Sequence, residues 1–457
     1  MRFRNGLMLT GIFIAGVTLG AVVQPLDTAI GKAAPADSTY QQLSLFGDVL
    51  SEIKQNYVVD PPTKKLIYNA INGMLAGLDP HSGYMNAQQY ANMQVQTSGQ
   101  FGGLGLEVTE TNGLLKVITP IDGTPGQRAG IKPGDIIVEI DGHSTDGLTL
   151  DNAVTKMRGA PGTKVHLTIK RNGINTPVQV TLTREIIKLQ DVKDRLIATP
   201  AGPVGYIRLS SFDENASDHI RKAIKELSAK AHGHVHGYIL DLRDNPGGLL
   251  DQAVAVSDDF LNAGEIVATH GRHSEDDQVW YAQSGDITHG APLIVLTNAG
   301  TASAAEIVTA ALQQNRRAVV LGTRTFGKGS VQTIMPIDNE GALRLTTALY
   351  FTPSGKSIQG FGVTPDIKVA ETATPQDMFA QLRENDLLHS FTNPTGLTSP
   401  SLPPPIPLPA IAKTIPDKPP AKWPAFDASK PATDFQLQMA LKLIAAMPAN
   451  GATIAAK

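Results

Sequence analysis

Cysteine is absent from the 457-residue chain. Its absence excludes disulfide bonds, cysteine nucleophiles and thiolate metal sites. The chain also lacks an excess of basic residues, because 39 lysines and arginines face 42 acidic residues, for a formal net charge of −3. No basic stripe runs along the sequence either, so we expect no nucleic-acid partner. The hydrophobic share of 41% is ordinary for a globular protein, and the length allows two or three domains.

Charge is missing from one long stretch near the N-terminus. Arg2 and Arg4 precede the run Gly6–Val23, which is uncharged and predominantly apolar. This pattern indicates an export signal. Its length lies at the border between a cleaved signal peptide and a membrane anchor, and Ala-Pro-Ala at 34–36 offers a cleavage site. The sequence leaves open whether this segment is cleaved or retained as an inner-membrane anchor. Either alternative predicts that the rest of the chain lies in the periplasm or outside the cell.

A serine sits at a predicted junction between a strand and a helix. Pro292–Thr297 reads as a short buried strand, and the motif N-A-G-T-A-S-A-A-E follows, with Ser303 at its centre. From Ala302 onward, helix formers with apolar residues at spacings of 3, 4 and 7 predict a helix, so Ser303 is expected in its first turn. Free backbone N–H groups there suit an oxyanion. The alternative is that Ser303 caps the helix in a capping box with Glu306.

A lysine occupies a second glycine-rich motif, T-F-G-K-G-S-V-Q, at Lys328. The motif nearly matches a phosphate-binding loop, but Gly329 stands where a serine or threonine is required. Ser330–Ile337 also alternates like a strand, whereas a phosphate loop opens a helix. On a strand, Lys328, Ser330 and Gln332 project to one face. A lysine can act as a base when burial leaves it neutral, although a solvated surface lysine is the commoner case.

The two motifs, in this order and with the lysine 25 positions after the serine, resemble the carboxyl-terminal processing proteases, serine peptidases of family S41. The resemblance implies that Ser303 is the nucleophile, Lys328 the general base and Gln332 the residue that orients the lysine. It also implies that the substrates are proteins engaged through their C-terminal tails, that an adaptor delivers them in some relatives, and that no metal or cofactor is needed.

A third motif completes the implied site. Gly237–Leu242 reads as a buried strand, and R-D-N-P-G-G-L-L follows it. The family builds its oxyanion hole from a glycine of this loop and the N–H after the serine, which implies Gly247 or Gly248 together with Ala304. The sequence leaves the choice of glycine open. The charged residues of this stretch, at Asp241, Arg243 and Asp244, are predicted to form a structural cluster.

Residues 99–185 resemble a PDZ domain, a module that adds an extended peptide to a sheet edge and captures its carboxylate in a backbone nest. The resemblance implies that the turn Gly103-Leu104-Gly105-Leu106 is the nest and that Leu106 and Val108 help form an apolar pocket. Arg158 matches a position that in some relatives links peptide binding to assembly of the active site.

The remaining segments carry weaker signals. Leu43–Tyr57 and Lys64–Leu78 have helical periodicity, and the equivalent family helices pair subunits, which implies a homo-oligomer. Ser399–Pro431 is proline-rich and predicts solvated polyproline II, whereas Asp434–Met447 reads as an amphipathic helix. Four histidines are interpreted as structural or surface residues, with a metal site as the alternative for the last three: His81, His232, His234 and His236.

These predictions give an α+β multidomain chain whose core is a crotonase-like α/β serine protease. Its segments are 1–36 (signal or anchor), 37–98 (N-terminal helical segment), 99–185 (PDZ domain), 186–370 (protease core) and 371–457 (C-terminal region with a proline-rich linker, 399–431, and a terminal helix, 434–447). The predicted function is an exported endopeptidase. Two alternatives are a non-catalytic PDZ scaffold and a non-peptidase acyl-transfer enzyme of crotonase-like fold.

Overall fold

The computed structural model describes residues 37–111, 113–338, 340–373, 382–400, 407–427 and 430–448. The signal or anchor predicted over residues 1–36 lies outside them. The described residues divide into two compact units, one that ends at residue 67 and one that begins at residue 68. Among the described residues, no helix combines the length and the apolar character needed to cross a membrane.

The helices are α1 Asp37–Asn56, α2 Thr63–Ala76, α3 Ala87–Ser98, α4 Pro125–Arg128, α5 Leu150–Met157, α6 Ala216–Lys230, α7 Leu250–Phe260, α8 Ala304–Gln314 and α9 Phe435–Ile444. The strands are β1 Gly83–Asn86, β2 Gln100–Gly103, β3 Leu106–Thr111, β4 Leu114–Pro120, β5 Ile136–Ile140, β6 His143–Ser144, β7 Lys164–Lys170, β8 Val178–Thr183, β9 Glu185–Lys188, β10 Val192–Thr199, β11 Gly202–Leu209, β12 Gly237–Asp241, β13 Glu265–Gly271, β14 Gln278–Tyr281, β15 Leu293–Thr297, β16 Val319–Gly322, β17 Ser330–Ile337, β18 Gly341–Phe351 and β19 Ile367–Lys368.

A six-stranded sheet forms the centre of the segment predicted as the α/β core, in the order β10-β11-β12-β15-β16-β19. Only β10 and β11 pair antiparallel, and the other neighbours are parallel. Parallel strands are normally covered on both faces, and this sheet follows the rule. Tyr238 and Leu240 of β12 join the apolar cluster that contains α6, α7 and α8, whereas Ile239 joins the cluster on the other face with α9. The α/β core expected from the sequence is therefore present.

A second sheet carries the segment after the lysine motif. Its order is β1-β18-β13-β14, and β17 pairs with β18. The strand predicted over Ser330–Ile337 is β17, with the same bounds. Because a strand rather than a helix follows Lys328, the phosphate-loop alternative is wrong.

A third sheet, β3-β4-β5-β7-β8 with β6 beside β5, lies within the segment that resembles a PDZ domain. It encloses its own apolar cluster, which includes Val117, Ile137 and Val165. Within this sheet β3 is an edge strand, paired only with β4. The chain enters the segment through β2 and leaves it through β9, and these two strands pair antiparallel.

The C-terminal region corrects one prediction. The helix expected over Asp434–Met447 is confirmed as α9, with Asp434 as its N-cap. The stretch predicted as solvated polyproline II behaves differently where it is described, because Leu408, Ile411 and Trp423 pack against the apolar cluster around α9. Apolar side chains interspersed among the prolines explain the difference, since burying them is favourable.

Candidate active site

Ser303 occupies a strained turn between β15 and α8. Its backbone has φ 57° and ψ −120°, a conformation that is costly for a residue with a Cβ. The serine lies at the N-cap, one residue before α8 begins, and not within the first helical turn as predicted. The turn is fixed from outside, because the N–H of Ala302 donates to the carbonyl of Asn245 at 2.9 Å.

The buried carboxylate of Glu306 joins the serine turn to the lysine segment. Its Oε2 accepts the N–H groups of Ser303 at 2.8 Å and Lys328 at 2.9 Å. Its Oε1 accepts the N–H of Gly327 at 2.7 Å and the hydroxyl of Thr325 at 2.5 Å. Burial raises the pKa of Glu306 to about 7, against the opposing effect of these hydrogen bonds. Glu306 therefore does more than cap α8, since it holds both motifs in one arrangement.

The hydroxyl of Ser303 has a partner that the sequence did not indicate. The Tyr350 hydroxyl, on β18, donates to Ser303 Oγ at 3.0 Å. Tyr350 is 4% exposed, and burial raises the pKa of its phenol. The tyrosine therefore stays protonated and serves as a donor, while the serine keeps its own hydrogen for another acceptor.

Lys328 has the electrostatic character that a lysine base needs. Burial and, to a smaller extent, the charge of Arg344 lower the pKa of its amine to about 8, against the opposing effect of three carboxylates, at Glu384, Glu306 and Asp79. A substantial fraction of the amine is therefore neutral near pH 8. Among the described residues, the amine makes no hydrogen bond to Ser303 or Gln332.

Gln332 does not hold the lysine in this structure. Its side-chain amide donates to Ser330 Oγ at 3.0 Å and to Thr346 Oγ1 at 3.2 Å. A β-bulge between Val331 and Gln332 places Gln332 opposite Thr346 on β18.

The two glycines after β12 differ in what their N–H groups do. Gly247 is buried and donates to Asn245 Oδ1 at 2.8 Å. Gly248 is exposed, and no described group accepts its N–H or that of Ala304. Both glycines have positive φ, at 102° and 146°. The geometry leaves Gly248 and Ala304 as the two free donors next to Ser303.

One open cleft of about 640 Å³ brings these groups together. Its wall includes all six residues predicted for catalysis and the oxyanion hole: Ser303, Lys328, Gln332, Gly247, Gly248 and Ala304. Apolar side chains line much of the remainder: Met93, Leu189, Phe212, Leu250, Ile307 and Ile334. The cleft therefore brings together a serine hydroxyl, an amine of lowered pKa and two backbone donors beside an apolar surface.

The predicted peptide-binding residues lie where β2 turns into β3. Leu104 is 3% exposed and belongs to the core of this sheet, so only its backbone is available to a ligand. Leu106 and Val108 are partly buried on the edge strand β3. Gly105 has φ 66°, and a Cβ there would lie 2.3 Å from Thr124. The tight turn thus requires glycine at this position.

Arg158 connects the end of α5 to two other elements. Its guanidinium lies 4.6 Å from the ring centre of Phe101 on β2, and its Nη1 donates to Asn92 Oδ1 on α3 at 3.3 Å. Helix α3 then reaches the cleft through Met93 and Thr97. A chain of contacts therefore joins the PDZ-like segment to the cleft wall.

The other residues singled out from the sequence have structural partners. Asp241 and Arg243 are buried and form an ion pair, and Arg243 also pairs with Asp434. Asp244 accepts from the side chain of Asn298. His81 Nε2 lies 2.9 Å from both carboxylate oxygens of Glu384.

The alternating histidines do not converge on a shared site. His236 is buried, with its Nε2 at 2.9 Å from the carbonyl of Ile444, whereas His232 and His234 are exposed.

Comparison with known proteins agrees with the motifs. A model of peptidase family S41 matches residues 203–369, and a PDZ domain model matches residues 116–171. The chain is 51% identical to a carboxy-terminal-processing protease of Bartonella bacilliformis, over 79% of this chain and 82% of that protein. A carboxyl-terminal-processing protease of Synechocystis sp. is 39% identical, over 71% and 78%. Among solved structures, a photosystem II D1 C-terminal processing protease is 29% identical over 74% of this chain and 95% of that chain, with a TM-score of 0.42.

Proposed function

Because the chain belongs to the carboxy-terminal processing serine proteases of peptidase family S41, we propose that it is an endopeptidase whose nucleophile is Ser303 and whose general base is Lys328. The observation that carries the proposal is that both residues line one cleft, with the pKa of the lysine amine lowered to about 8. A serine requires such a base, and a lysine serves only when its amine is neutral.

The reaction begins when the neutral amine takes the Ser303 proton as Oγ attacks the scissile carbonyl. The oxyanion of the tetrahedral intermediate accepts the N–H groups of Gly248 and Ala304, because these are the donors that have no other acceptor. The protonated lysine then gives its proton to the leaving amine, and a water molecule, deprotonated by Lys328, hydrolyses the acyl-enzyme.

The Lys328 side chain has to approach Ser303 for this sequence to occur. Its amine is not bonded to Ser303 here, and four rotatable bonds let it swing within the cleft. The serine hydroxyl already accepts from Tyr350, so its own hydrogen is free to point at the lysine. Tyr350 then supports the attacking oxygen as negative charge develops on it. Once Lys328 has moved close to Ser303, Gln332 orients the lysine amine.

Substrates are selected by their C-terminal tails. An extended tail adds to the edge strand β3, its carboxylate meets the backbone of the turn at Gly103–Leu106, and its last side chain contacts Leu106 and Val108. Arg158 transmits occupancy of this site to α3 and hence to the cleft, through its contacts with Phe101 and Asn92.

The protein acts outside the cytoplasm. Residues 1–36 direct export and are either cleaved or kept as an inner-membrane anchor, as Arg2, Arg4 and the run Gly6–Val23 indicate. Subunits pair through the N-terminal helices, since α1 exposes apolar side chains at Leu43, Phe46, Val49 and Ile53. An adaptor that presents substrates fits the same scheme.

The proposal is tested with casein and with a reporter that carries an apolar C-terminal tail. Ser303→Ala and Lys328→Ala should each abolish cleavage while circular dichroism stays that of the natural chain. The matched control is Lys356→Ala, which removes an exposed lysine and should cleave normally. Full cleavage by Lys328→Ala would show that another group is the base.

A further inference from the structure

A cluster of three ionisable residues lies outside the cleft, beside the two strands that connect the PDZ domain to the core. Asp191 lies between β9 and β10, Asp213 between β11 and α6, and His219 in the first turn of α6. One potential ligand atom from each lies within 4.8 Å of the other two. Among the described residues, this is the group of three whose spacing suits a metal ion.

The two carboxylates of the cluster lie close to one another, with His219 as their basic neighbour. Asp191 Oδ1 lies 2.5 Å from His219 Nδ1, and Asp213 Oδ1 accepts the N–H of Asn215 at 2.8 Å. No lysine or arginine of the described residues forms an ion pair with either carboxylate. A protonated histidine would neutralise only one of the two carboxylates.

A second observation points to a ligand. Asp191 is 3% exposed, and its other carboxylate oxygen, Oδ2, is buried with no hydrogen-bond partner among the described residues. Leaving a buried carboxylate oxygen unsatisfied is costly, and each such case in a folded protein needs an explanation. A bound cation would supply the missing partner.

We propose that Asp191, Asp213 and His219 bind a divalent transition-metal ion of the Zn²⁺ class. One imidazole nitrogen with two carboxylate oxygens is a donor set that Zn²⁺ accepts, with water completing the coordination, whereas Ca²⁺ and Mg²⁺ prefer oxygen ligands alone. Ligand atoms of a tetrahedral Zn²⁺ site are roughly 3.3 Å apart for bonds of ~2.0–2.1 Å. The three ligand atoms, now within 4.8 Å of one another, have to move to that spacing when the ion binds.

The position gives the ion a structural role. The carbonyl of Gly99 accepts the N–H of Leu189 at 2.8 Å, where the chain enters and leaves the PDZ domain. A Cβ at Gly99 would lie 2.0 Å from Asp213 Oδ2, so the entering strand passes directly over the cluster. Phe212, next to Asp213, forms a β-bridge with Gly248. A bound ion would brace this junction without taking part in peptide hydrolysis, since its ligands do not line the cleft.

The test is calorimetric titration of the full chain, stripped with EDTA, with ZnCl₂ at pH 7.5, and with CaCl₂ in a separate experiment. We expect one equivalent of Zn²⁺ to bind, a higher Tm, and no comparable effect of Ca²⁺. His219→Gln and Asp213→Asn should each weaken Zn²⁺ binding at least tenfold. The control is His234→Asn, an exposed histidine of the alternating group, which should bind like the natural chain.

Two results would overturn the proposal. One is the failure of the natural chain to take up one equivalent of Zn²⁺, and the other is retention of full affinity by His219→Gln or its loss in His234→Asn. If the variants do not fold, Co²⁺ added to the natural chain decides, because its absorption spectrum reports nitrogen and oxygen ligands directly. A spectrum of hexa-aqua Co²⁺ alone would reject the site. None of these readouts depends on peptidase activity.

Discussion

The hydroxyl of Tyr350 donates a hydrogen bond of 3.0 Å to the hydroxyl of Ser303 across a separation of 47 residues. The donor is buried and protonated, so it is fixed before substrate arrives. A fixed donor stabilises most when negative charge develops on the oxygen that accepts its hydrogen bond, as the proposed attack by Ser303 requires.

Tyr350→Phe should therefore lower kcat about tenfold, the effect of a hydrogen bond of about 1.4 kcal/mol. KM and Tm should change little, because the ring still fills its place. The control is Tyr281→Phe, which removes an exposed hydroxyl on β14. An unchanged kcat in Tyr350→Phe would mean that the bond has no part in the reaction.

The pH dependence of kcat/KM should report the Lys328 amine. Only the neutral amine can take the serine proton, so the rate should rise with pH through a midpoint near the pKa of about 8 and then level off. A midpoint near the ordinary histidine value of about 6.5 would indicate an imidazole base instead.

Two charge-removing variants should move that midpoint in opposite directions. Glu384 favours the protonated amine and Arg344 disfavours it. Glu384→Gln should therefore lower the midpoint, whereas Arg344→Gln should raise it. Shifts in the same direction, or none in either variant, would show that the titrating group is not Lys328.

Gly247→Ala should cut kcat/KM by a large factor, on the order of 100-fold, because misplacing a reacting group by about 1 Å has such an effect. A Cβ at this position would lie 2.8 Å from the Cβ of Ser303 and so displace the proposed nucleophile. Gly162→Ala is the matched control, since Gly162 also has a positive φ, of 87°, but faces open space. It should lose some stability and little activity.

Arg243→Ala should reduce the free energy of unfolding by about 3–5 kcal/mol, because it removes the closest partner of a fully buried carboxylate, Asp241. Lys222→Ala, which breaks the exposed pair with Glu226, should cost at most about 0.5 kcal/mol. Urea unfolding measures both.

The ion pair between Asp241 and Arg243 also predicts how the free energy of unfolding changes at acidic pH. Arg243 holds the pKa of Asp241 below its ordinary value, against the effect of burial. The pair's contribution is therefore complete above the ordinary pKa of about 3.9 and is lost as the pH falls below it. Arg243→Ala should accordingly show a weaker dependence of stability on pH in this acid range.

Much of the core could be predicted from local patterns. The apolar runs at β12 and β15 and the alternation at β17 identify strands, and turn residues mark where each one ends. The prediction of a solvated proline-rich linker was wrong for the part of it that the structure describes. Composition does not show which apolar side chains pack against a distant element such as α9.

The order of residues along the chain determined where the strands lie and where glycine and other turn residues end them, because these features depend on local propensity. Only the tertiary structure decided that Gly247 donates to Asn245 while Gly248 stays free, that Tyr350 bonds to Ser303, and that Lys328 has a lowered pKa. These features depend on burial and on contacts between segments far apart in sequence, and folding alone brings those segments together.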